Sequence, residues 1–283
     1  MHIAVVHDRV GNSDAPDTVD VLAQAVAVEK ALAALGHTAV RMNCGLDFSS
    51  ERCRLEQSGA EMVVNLVESI EGKGRLIHLF PSLLDAMGLP YTGAGAEAML
   101  LTSNKVLAKR WMSASGIPTP HWVASNGASG PGKSAPGAWI VKSVWEHASI
   151  GLDENSIVKS TDETQLYAAM KMRSKTPGGE WFAEAFVEGR EFNLSILAGE
   201  NGPEVLPTAE IIFDGYNRGM PKIVDYRAKW DETAFDYHHT PRSFDFSVDD
   251  FPLLETLKKL GLDCWECFGL SGYARVDFRV DPW

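Results

Sequence analysis

Residues Ala138–Gly151, AWIVKSVWEHASIG, set a lysine inside an apolar strand and follow it with a short polar loop. Ala138–Lys142 reads as a strand, and by period two Lys142 shares a face with Ile140 and Val144. A lysine on an apolar face needs an anion beside it, or must reach out to water. The strand alone leaves both readings open. The loop that follows, Trp145–Gly151, is built of small and polar residues suited to folding backbone amides over a phosphate, and it favours the anion.

Just upstream, Gly127-Ala-Ser-Gly-Pro-Gly132-Lys133-Ser134 fits the phosphate-loop pattern GxxxxGK[ST]. That pattern works only when a helix follows, because the helix N-terminus and the loop amides hold the phosphates together. Here Ala135-Pro136-Gly137 and the Ala138–Lys142 strand follow, so the segment reads as a surface loop. No GxGxxG follows the first strand either, where the text is HDRVGNSDA, which removes the main support for a nicotinamide-dependent oxidoreductase.

The chain has 283 residues, enough for two or three lobes with their own cores. Its 26 Lys and Arg against 38 Asp and Glu give a net charge of −12, which argues against nucleic acid and anionic membranes as partners. No apolar run approaches the ~20 residues of a membrane span. The opening MHIAVVHDRV reads as a first strand rather than a signal peptide, so a cytoplasmic protein is expected. Cys264 and Cys267 form a CxxC, but Cys44 and Cys53 do not supply a second pair at zinc spacing. All four read as packing cysteines.

The first third alternates strand and helix: His2–His7, a helix over Val21–Leu35 ending at Gly36, strands at Thr38–Met42 and Glu61–Val67, and a helix over Leu76–Met87 stopped by Gly88. That rhythm predicts a parallel sheet covered by helices. After a boundary near Thr92–Gly95, a helix begins at Thr102-Ser103-Asn104 and ends at Ser115-Gly116. A helix over Thr161–Met172 precedes strands at Trp181–Val187, Phe192–Leu197 and Val205–Phe213. A helix over Phe251–Leu260 ending at Gly261 leads to the closing strand, GYARVDFRVDPW. The expected lobes are 1–92, 93–183 and 184–283, the later two mixing helices with antiparallel strands.

Several side chains stand out. Lys105, in a first helical turn, opposes the helix dipole by roughly 0.3–1 kcal/mol, which a bound phosphate offsets; a solvated lysine is the alternative. Phe182, Glu184 and Phe186 share one strand face, and Glu188–Glu191 turns into the next strand. Carboxylates flanking such a bend suit an amine and a diol, though solvated surface acids fit the pattern equally. Asp225–Trp230 lies in a long stretch, Asp214–Asp250, whose aromatic content predicts an ordered lid. In the closing strand Tyr273, Arg275, Asp277 and Arg279 alternate with Ala274, Val276, Phe278 and Val280, which places a cation beside a potential metal ligand.

In this order the segments LPYTGAG (Leu89–Gly95), SNKVLAKRWMSASGIPTP (Ser103–Pro120), VKSVWEHASIG (Val141–Gly151), AEAFVEGREFNLSIL (Ala183–Leu197), DYRAKW (Asp225–Trp230) and GYARVDFRVD (Gly272–Asp281) resemble the ATP-grasp enzymes, and within them the D-alanine–D-alanine ligase family. The resemblance implies an ATP-grasp architecture behind a Rossmann-like first lobe. It implies an ATP- and Mg2+-dependent ligase that joins two amino acids through an acyl phosphate. Lys105 and Lys142 would hold phosphates, and the loop Glu146–Gly151, with Glu146, Ser149 and Gly151, would close over them. Glu184 would accept from the adenine amino group, backbone at Phe186 and Val187 would meet the ring edge, and Glu191 would bind the ribose. Lys229 would approach the γ-phosphate, Asp277 would bind Mg2+, and Arg275 would stabilise charge on the reacting carboxyl group. Small amino-acid or carboxylate substrates and a homodimer are implied as partners.

The departures from the family's pattern gather at the amino-acid end. The glycine pair and glutamate after the first strand are replaced by HDRVGNSDAPDTVDV, with Asp17 near the place of the glutamate. NLVESIEGKG (Asn65–Gly74) stands for HGxxGEDG, Ala148 for a serine and Trp230 for the lid tyrosine. An ATP-binding protein with another substrate, or without ligase turnover, is therefore the alternative. In the family a hairpin partner of the closing strand brings further metal ligands. The text stops at Asp281-Pro282-Trp283, so an incomplete ligase of weak ATP binding and poor turnover is expected.

Overall fold

Strand β1 (His2–Asp8) is buried along nearly all its length because it is the middle strand of a parallel three-stranded sheet. Its neighbours are β2 (Thr38–Cys44) and β3 (Met62–Leu66). A strand covered on both faces shows a continuous apolar run, as His2–Asp8 does. Helix α1 (Pro16–Ala34) stops where Gly36 takes a left-handed φ of 79°. Helices α2 (Phe48–Ser58), α3 (Leu79–Met87) and α4 (Ala96–Ser103) complete the first of two compact units, Met1–Ser103. This computed structural model describes residues 1–11, 15–131, 137–174, 179–217 and 219–281.

The second unit, Asn104–Trp283, is antiparallel throughout its described strand pairs. Helix α5 (Lys105–Ala114) leads into β4 (Trp122–Ala124) and β5 (Gly137–Ser143). With β6 (Ile157–Ser160) and, after α6 (Glu163–Arg173), β7 (Trp181–Ala185), these make a four-stranded sheet in the order β4-β7-β5-β6. One face buries Trp139, Val141 and Ala183 against Leu166 and Met170 of α6. The other buries Trp122, Ala124 and Phe182 against Val106 of α5.

A five-stranded sheet follows. It contains β8 (Arg190–Gly199), β9 (Gly202–Val205), β10 (Ala209–Ile211), β11 (Arg242–Ser243) and β12 (Tyr273–Val280). Between β10 and β11 lie two short helices, α7 (Tyr226–Trp230) and α8 (Phe235–His238). Phe192 and Leu194 of β8 and Phe278 of β12 face α9 (Phe251–Cys267) across Leu257. The opposite face of β8 and β12 is polar.

The α/β first lobe and the mixed antiparallel lobes match the expected fold class. Three local expectations differ. Helix α9 does not end at Gly261 but runs six residues further, to Cys267. A Cβ on Gly261 would lie 3.4 Å from Ile196 Cδ1 and 3.6 Å from Leu194 Cδ2, so this glycine lets the helix approach β8. The run Val205–Phe213 is two strands, β9 and β10, because Leu206-Pro207-Thr208 interrupts it. Helix α2 shows little apolar periodicity and escaped the sequence reading; Asp47 caps it, accepting from Ser50 N at 3.2 Å. Gly132, Lys133 and Ser134 of the phosphate-loop-like run, and the last two residues of the closing segment, lie outside the described residues. Among the described residues no helix is long and apolar enough to cross a membrane. All four cysteines are free thiols, and burial pushes Cys44 up to about 12 and Cys264 to about 11.

Gly189 fixes how the turn after β7 meets β12. A Cβ there would fall 1.9 Å from the Val280 carbonyl oxygen, a backbone atom that cannot step aside. Gly189→Ala is expected to destabilise the protein by about 2 kcal/mol or more, as steric overpacking does. Denaturant melts of the two proteins measure it.

Candidate active site

Three lysines and a glutamate meet where α5 crosses the four-stranded sheet. In the β5–β7 register Ile140 lies opposite Glu184 and Lys142 opposite Phe182, so Lys142 and Glu184 are diagonal neighbours on one face. Lys105 and Lys109 are one turn apart on α5 and share a helix face. The Glu184 carboxylate sits between two of these cations. Its Oε1 accepts from Lys142 Nζ at 2.6 Å and its Oε2 from Lys109 Nζ at 2.8 Å. Lys109 also donates to Thr119 Oγ1 at 2.7 Å and the Pro120 carbonyl at 3.1 Å, which uses all three ammonium protons. Burial alone would raise the Glu184 carboxyl, but the charges of Lys142 and Lys109 outweigh it and bring it down to about 2. Burial lowers the Lys109 ammonium, and Glu184 opposes that.

Asn104 caps α5 by accepting from Leu107 N at 2.9 Å, which sets Lys105 in the first turn. The Lys105 N–H donates to Val144 O at 3.0 Å, and its ammonium donates to the Glu146 carbonyl. Burial, and then Lys142, lower Lys105 to about 8, against the pull of Glu146 and Glu184. Beyond Glu146, Ala148 and Ser149 take left-handed φ values of 53° and 62°, and Gly151 takes 75°. For non-glycine residues that conformation costs roughly 1–2 kcal/mol each. Among the described residues the N–H groups of His147, Ala148 and Ser149 have no acceptor. Consecutive unpaired amides in a tight turn form an anion-binding concavity. The loop is held from the other side by the stretch around α7. Ser149 Oγ donates to Val224 O at 2.8 Å, Trp230 Nε1 to Ala148 O at 3.1 Å, and Tyr226 N to Leu152 O at 3.3 Å.

The polar face of β8 and β12 carries the second group. Asp277 lies opposite Asn193, and Arg279 opposite Glu191. Arg275 grips Asp277 with two hydrogen bonds, Nε to Oδ1 at 2.7 Å and a terminal nitrogen to Oδ2 at 2.9 Å. Asn193 Nδ2 donates to the same Oδ1 at 3.0 Å. Arg279 pairs with Glu191 at 3.2 Å, donates to the Gly189 and Lys222 carbonyls, and lies against the rings of Phe186 and Phe213. Burial raises Glu191 and nearby Asp277 adds to the rise, while Arg279 opposes it. Burial, and then the charge of Arg275, lower the Lys229 ammonium of α7, while Asp277 and Glu191 oppose the shift. The stretch before β11 is an ordered aromatic cluster, with Tyr216 against Phe213 and Phe235 and its hydroxyl donating to Asp236 at 2.9 Å.

The sequence-predicted residues thus fall into two adjoining groups. Lys105, Lys142, Glu146, Ser149, Gly151 and Glu184 belong to the first. Glu191, Lys229, Arg275 and Asp277 belong to the second, and Phe186 and Val187 connect them. Some are engaged differently from the expected use. The Ser149 hydroxyl is turned to Val224, and the Gly151 carbonyl accepts from Arg173 at 3.2 Å. The Phe186 N–H donates to Ala138 O at 2.9 Å, and the Val187 N–H has no acceptor among the described residues. Sequence reasoning gave no role to Lys109, Asn193 or Arg279. Each had a signal: Lys109 is four residues from Lys105 on a helix, and Asn193 and Arg279 are two residues from Glu191 and Asp277 on strands.

Among the described residues no three His, Cys, Asp or Glu side chains gather as a metal site. Asp277 and Glu191 nonetheless share a face with the Asn193 amide between their registers. Mg2+ binds by one or two carboxylates and completes its shell with phosphate oxygens and water. That donor set fits a magnesium ion arriving with a nucleotide.

Residues 137–282 match the family described as D-ala D-ala ligase C-terminus. The D-alanine–D-alanine ligase of Synechococcus sp. (strain JA-3-3Ab) is 28% identical over 272 residues, covering 91% of this chain and 75% of that protein. That of Moorella thermoacetica is 29% identical over 264 residues, covering 90% and 77%. Among solved structures, the D-alanine–D-alanine ligase of Bacillus anthracis complexed with ATP has a TM-score of 0.70 at 18% identity, over 100% of this chain and 82% of that one. The VanG D-Ala:D-Ser ligase of Enterococcus faecalis has a TM-score of 0.64 at 15% identity, over 99% and 86%. Likeness at this identity shows the shared fold alone.

Because Glu184 is held well below its unfolded value of 4.5, its contribution to stability is complete above that pH. It is lost as pH falls toward about 2. Glu184→Gln leaves the buried Lys109 ammonium and the half-buried Lys142 ammonium without their anion and is expected to cost about 3–5 kcal/mol at pH 7. Urea midpoints between pH 6 and pH 3 should show the gap between wild type and variant closing with acid.

Proposed function

The chain belongs to the D-alanine–D-alanine ligase family, and from that premise we propose that it joins two small amino acids, with D-alanine the first to test, by spending ATP through an acyl phosphate. The observation that supports this reading is the charge cluster of Lys105, Lys142 and Glu184, with Lys105 bonded to Glu146 at the start of a loop whose next three amides have no acceptor among the described residues. A carboxylate oxygen of the first substrate attacks the γ-phosphorus, and ADP leaves. The amine of the second substrate then attacks the acyl carbon, loses a proton, and phosphate leaves as the amide forms. Lys105, Lys142 and the amides of His147–Ser149 neutralise the phosphate oxygens, so the rate gain comes from positioning and electrostatics. Lys229 faces the transferred group from α7. Arg275, released from Asp277, stabilises the oxyanion on the acyl carbon. Asp277 would hold Mg2+, which would draw charge from the phosphates.

Glu184 accepts from the adenine amino group with lone pairs its two lysines leave open. Phe186 and Val187 offer a carbonyl and an N–H to the ring edge, and Glu191 takes the ribose hydroxyls after parting from Arg279. The same reading gives a cytoplasmic homodimer, which light scattering on the purified protein tests.

The sequence departures at HDRVGNSDAPDTVDV and Asn65–Gly74 support a second reading, a ligase of this class with a substrate other than D-alanine.

Incubation with Mg-ATP and a panel of D-alanine, D-serine and D-lactate, following phosphate release and product mass, separates the readings. Dipeptide from D-alanine supports the first, and product only with another acceptor or donor supports the second. Absence of Mg-ATP binding sinks both. Phosphates favour the charged form of Lys105, so its value of about 8 rises on binding. Nucleotide affinity is therefore full below pH 8 and falls above it, by at most about tenfold per pH unit. Calorimetric titrations from pH 7 to pH 9.5 should show the fall in wild type and its loss in Lys105→Met.

A further inference from the structure

We propose that Lys109 is a positioning residue for nucleotide binding: by holding Oε2 of Glu184 it keeps that carboxylate from closing on Lys142, and so leaves two protons of the half-buried Lys142 ammonium available to an anion. This inference rests on the ligase reading, in which Lys142 is a phosphate ligand. The two lysines on Glu184 differ in what they have left to give. Lys109 is 5% exposed, and Glu184, Thr119 and Pro120 take all three of its protons. It has nothing to offer a ligand.

The Lys142 side chain is 29% exposed, and among the described residues Glu184 Oε1 is its one hydrogen-bond acceptor. Two of its protons remain for an anion.

A carboxylate has two oxygens, and a lone ammonium beside it draws both. With Lys109 in place the second oxygen is already satisfied, and Glu184 acts on Lys142 through a single hydrogen bond. Without it, Glu184 is free to turn both oxygens to Lys142 and take up ammonium protons that an anion would otherwise meet. Lys109 also tethers α5 to the Thr119–Pro120 turn, a structural role that would act whether or not Glu184 is charged. The state of Glu184 therefore separates positioning from support.

The test is a double-mutant cycle on the full chain: wild type, Lys109→Met, Glu184→Gln and the double variant. Mg-ATP dissociation constants are measured by calorimetry at pH 7, with circular dichroism to confirm folding. Lys109→Met is expected to weaken Mg-ATP binding about tenfold in the wild-type background and less than about twofold beside Glu184→Gln, within the coupling found for residues in contact. Equal losses in both backgrounds, or no loss in a folded Lys109→Met protein, overturn the proposal. Should Lys109→Met not fold, Lys109→Gln keeps a donor for Thr119, removes the charge, and carries the same comparison. A wild-type protein that binds no Mg-ATP points instead to failure of the ligase reading.

Discussion

A carboxylate buried between two ammonium groups is the constraint on which the second unit turns. Glu184 balances one of the two charges it touches, and Lys105 stands beside them with its own. Burying charge is tolerated only when partners and hydrogen bonds replace water. Here each partner requires a different element in place. Strand β7 must be paired with β5 in the observed register for Lys142 to reach Oε1. Helix α5 must lie across that face for Lys109 to reach Oε2, and its cap at Asn104 fixes where Lys105 begins the turn. The cluster still holds more positive charge than negative. That residual charge and the left-handed turn with its unpaired amides are the two features the proposed phosphate binding would use.

The second sheet meets this cluster through the turn Phe186–Arg190. Arg279 ties the pieces together: it touches Glu191 on β8, Gly189 in the turn, Lys222 on the way to α7, and two aromatic rings. The closeness of Gly189 to Val280 lets the turn lie flat on β12. Strand β12 therefore does more than carry Arg275 and Asp277. It registers the polar face of β8 against the turn that leads back to Glu184, so both charge groups share one backbone path.

Much of this was legible in the sequence, for reasons particular residues make plain. Strict alternation in Tyr273–Val280 gave the polar and apolar faces of β12 directly, because a strand has period two. Lys142 stood out because a charge on an apolar face is costly and so informative. Lys109 did not stand out, since a lysine on an amphipathic helix looks solvated until the sheet beneath it is known. The partner that buries it, Glu184, is 75 residues away in sequence. The same blindness made Gly261 look like a helix end. A glycine needed for close approach to Ile196 and one needed for a left-handed turn are the same letter. Capping was read correctly at Asn104 and missed at Asp47, where few apolar residues marked the helix that followed.

The net charge of −12 and the lysine cluster around Glu184 pull in opposite senses. At physiological salt, charge is screened over about 8 Å, so the chain's acidic surface exerts little hold on a nucleotide already at the mouth of the pocket. Approach is not assisted by long-range attraction; capture depends on groups within that distance. Small amino-acid substrates lack a polyphosphate to recognise, so sequence departures such as NLVESIEGKG at Asn65–Gly74 are compatible with a ligase of this class.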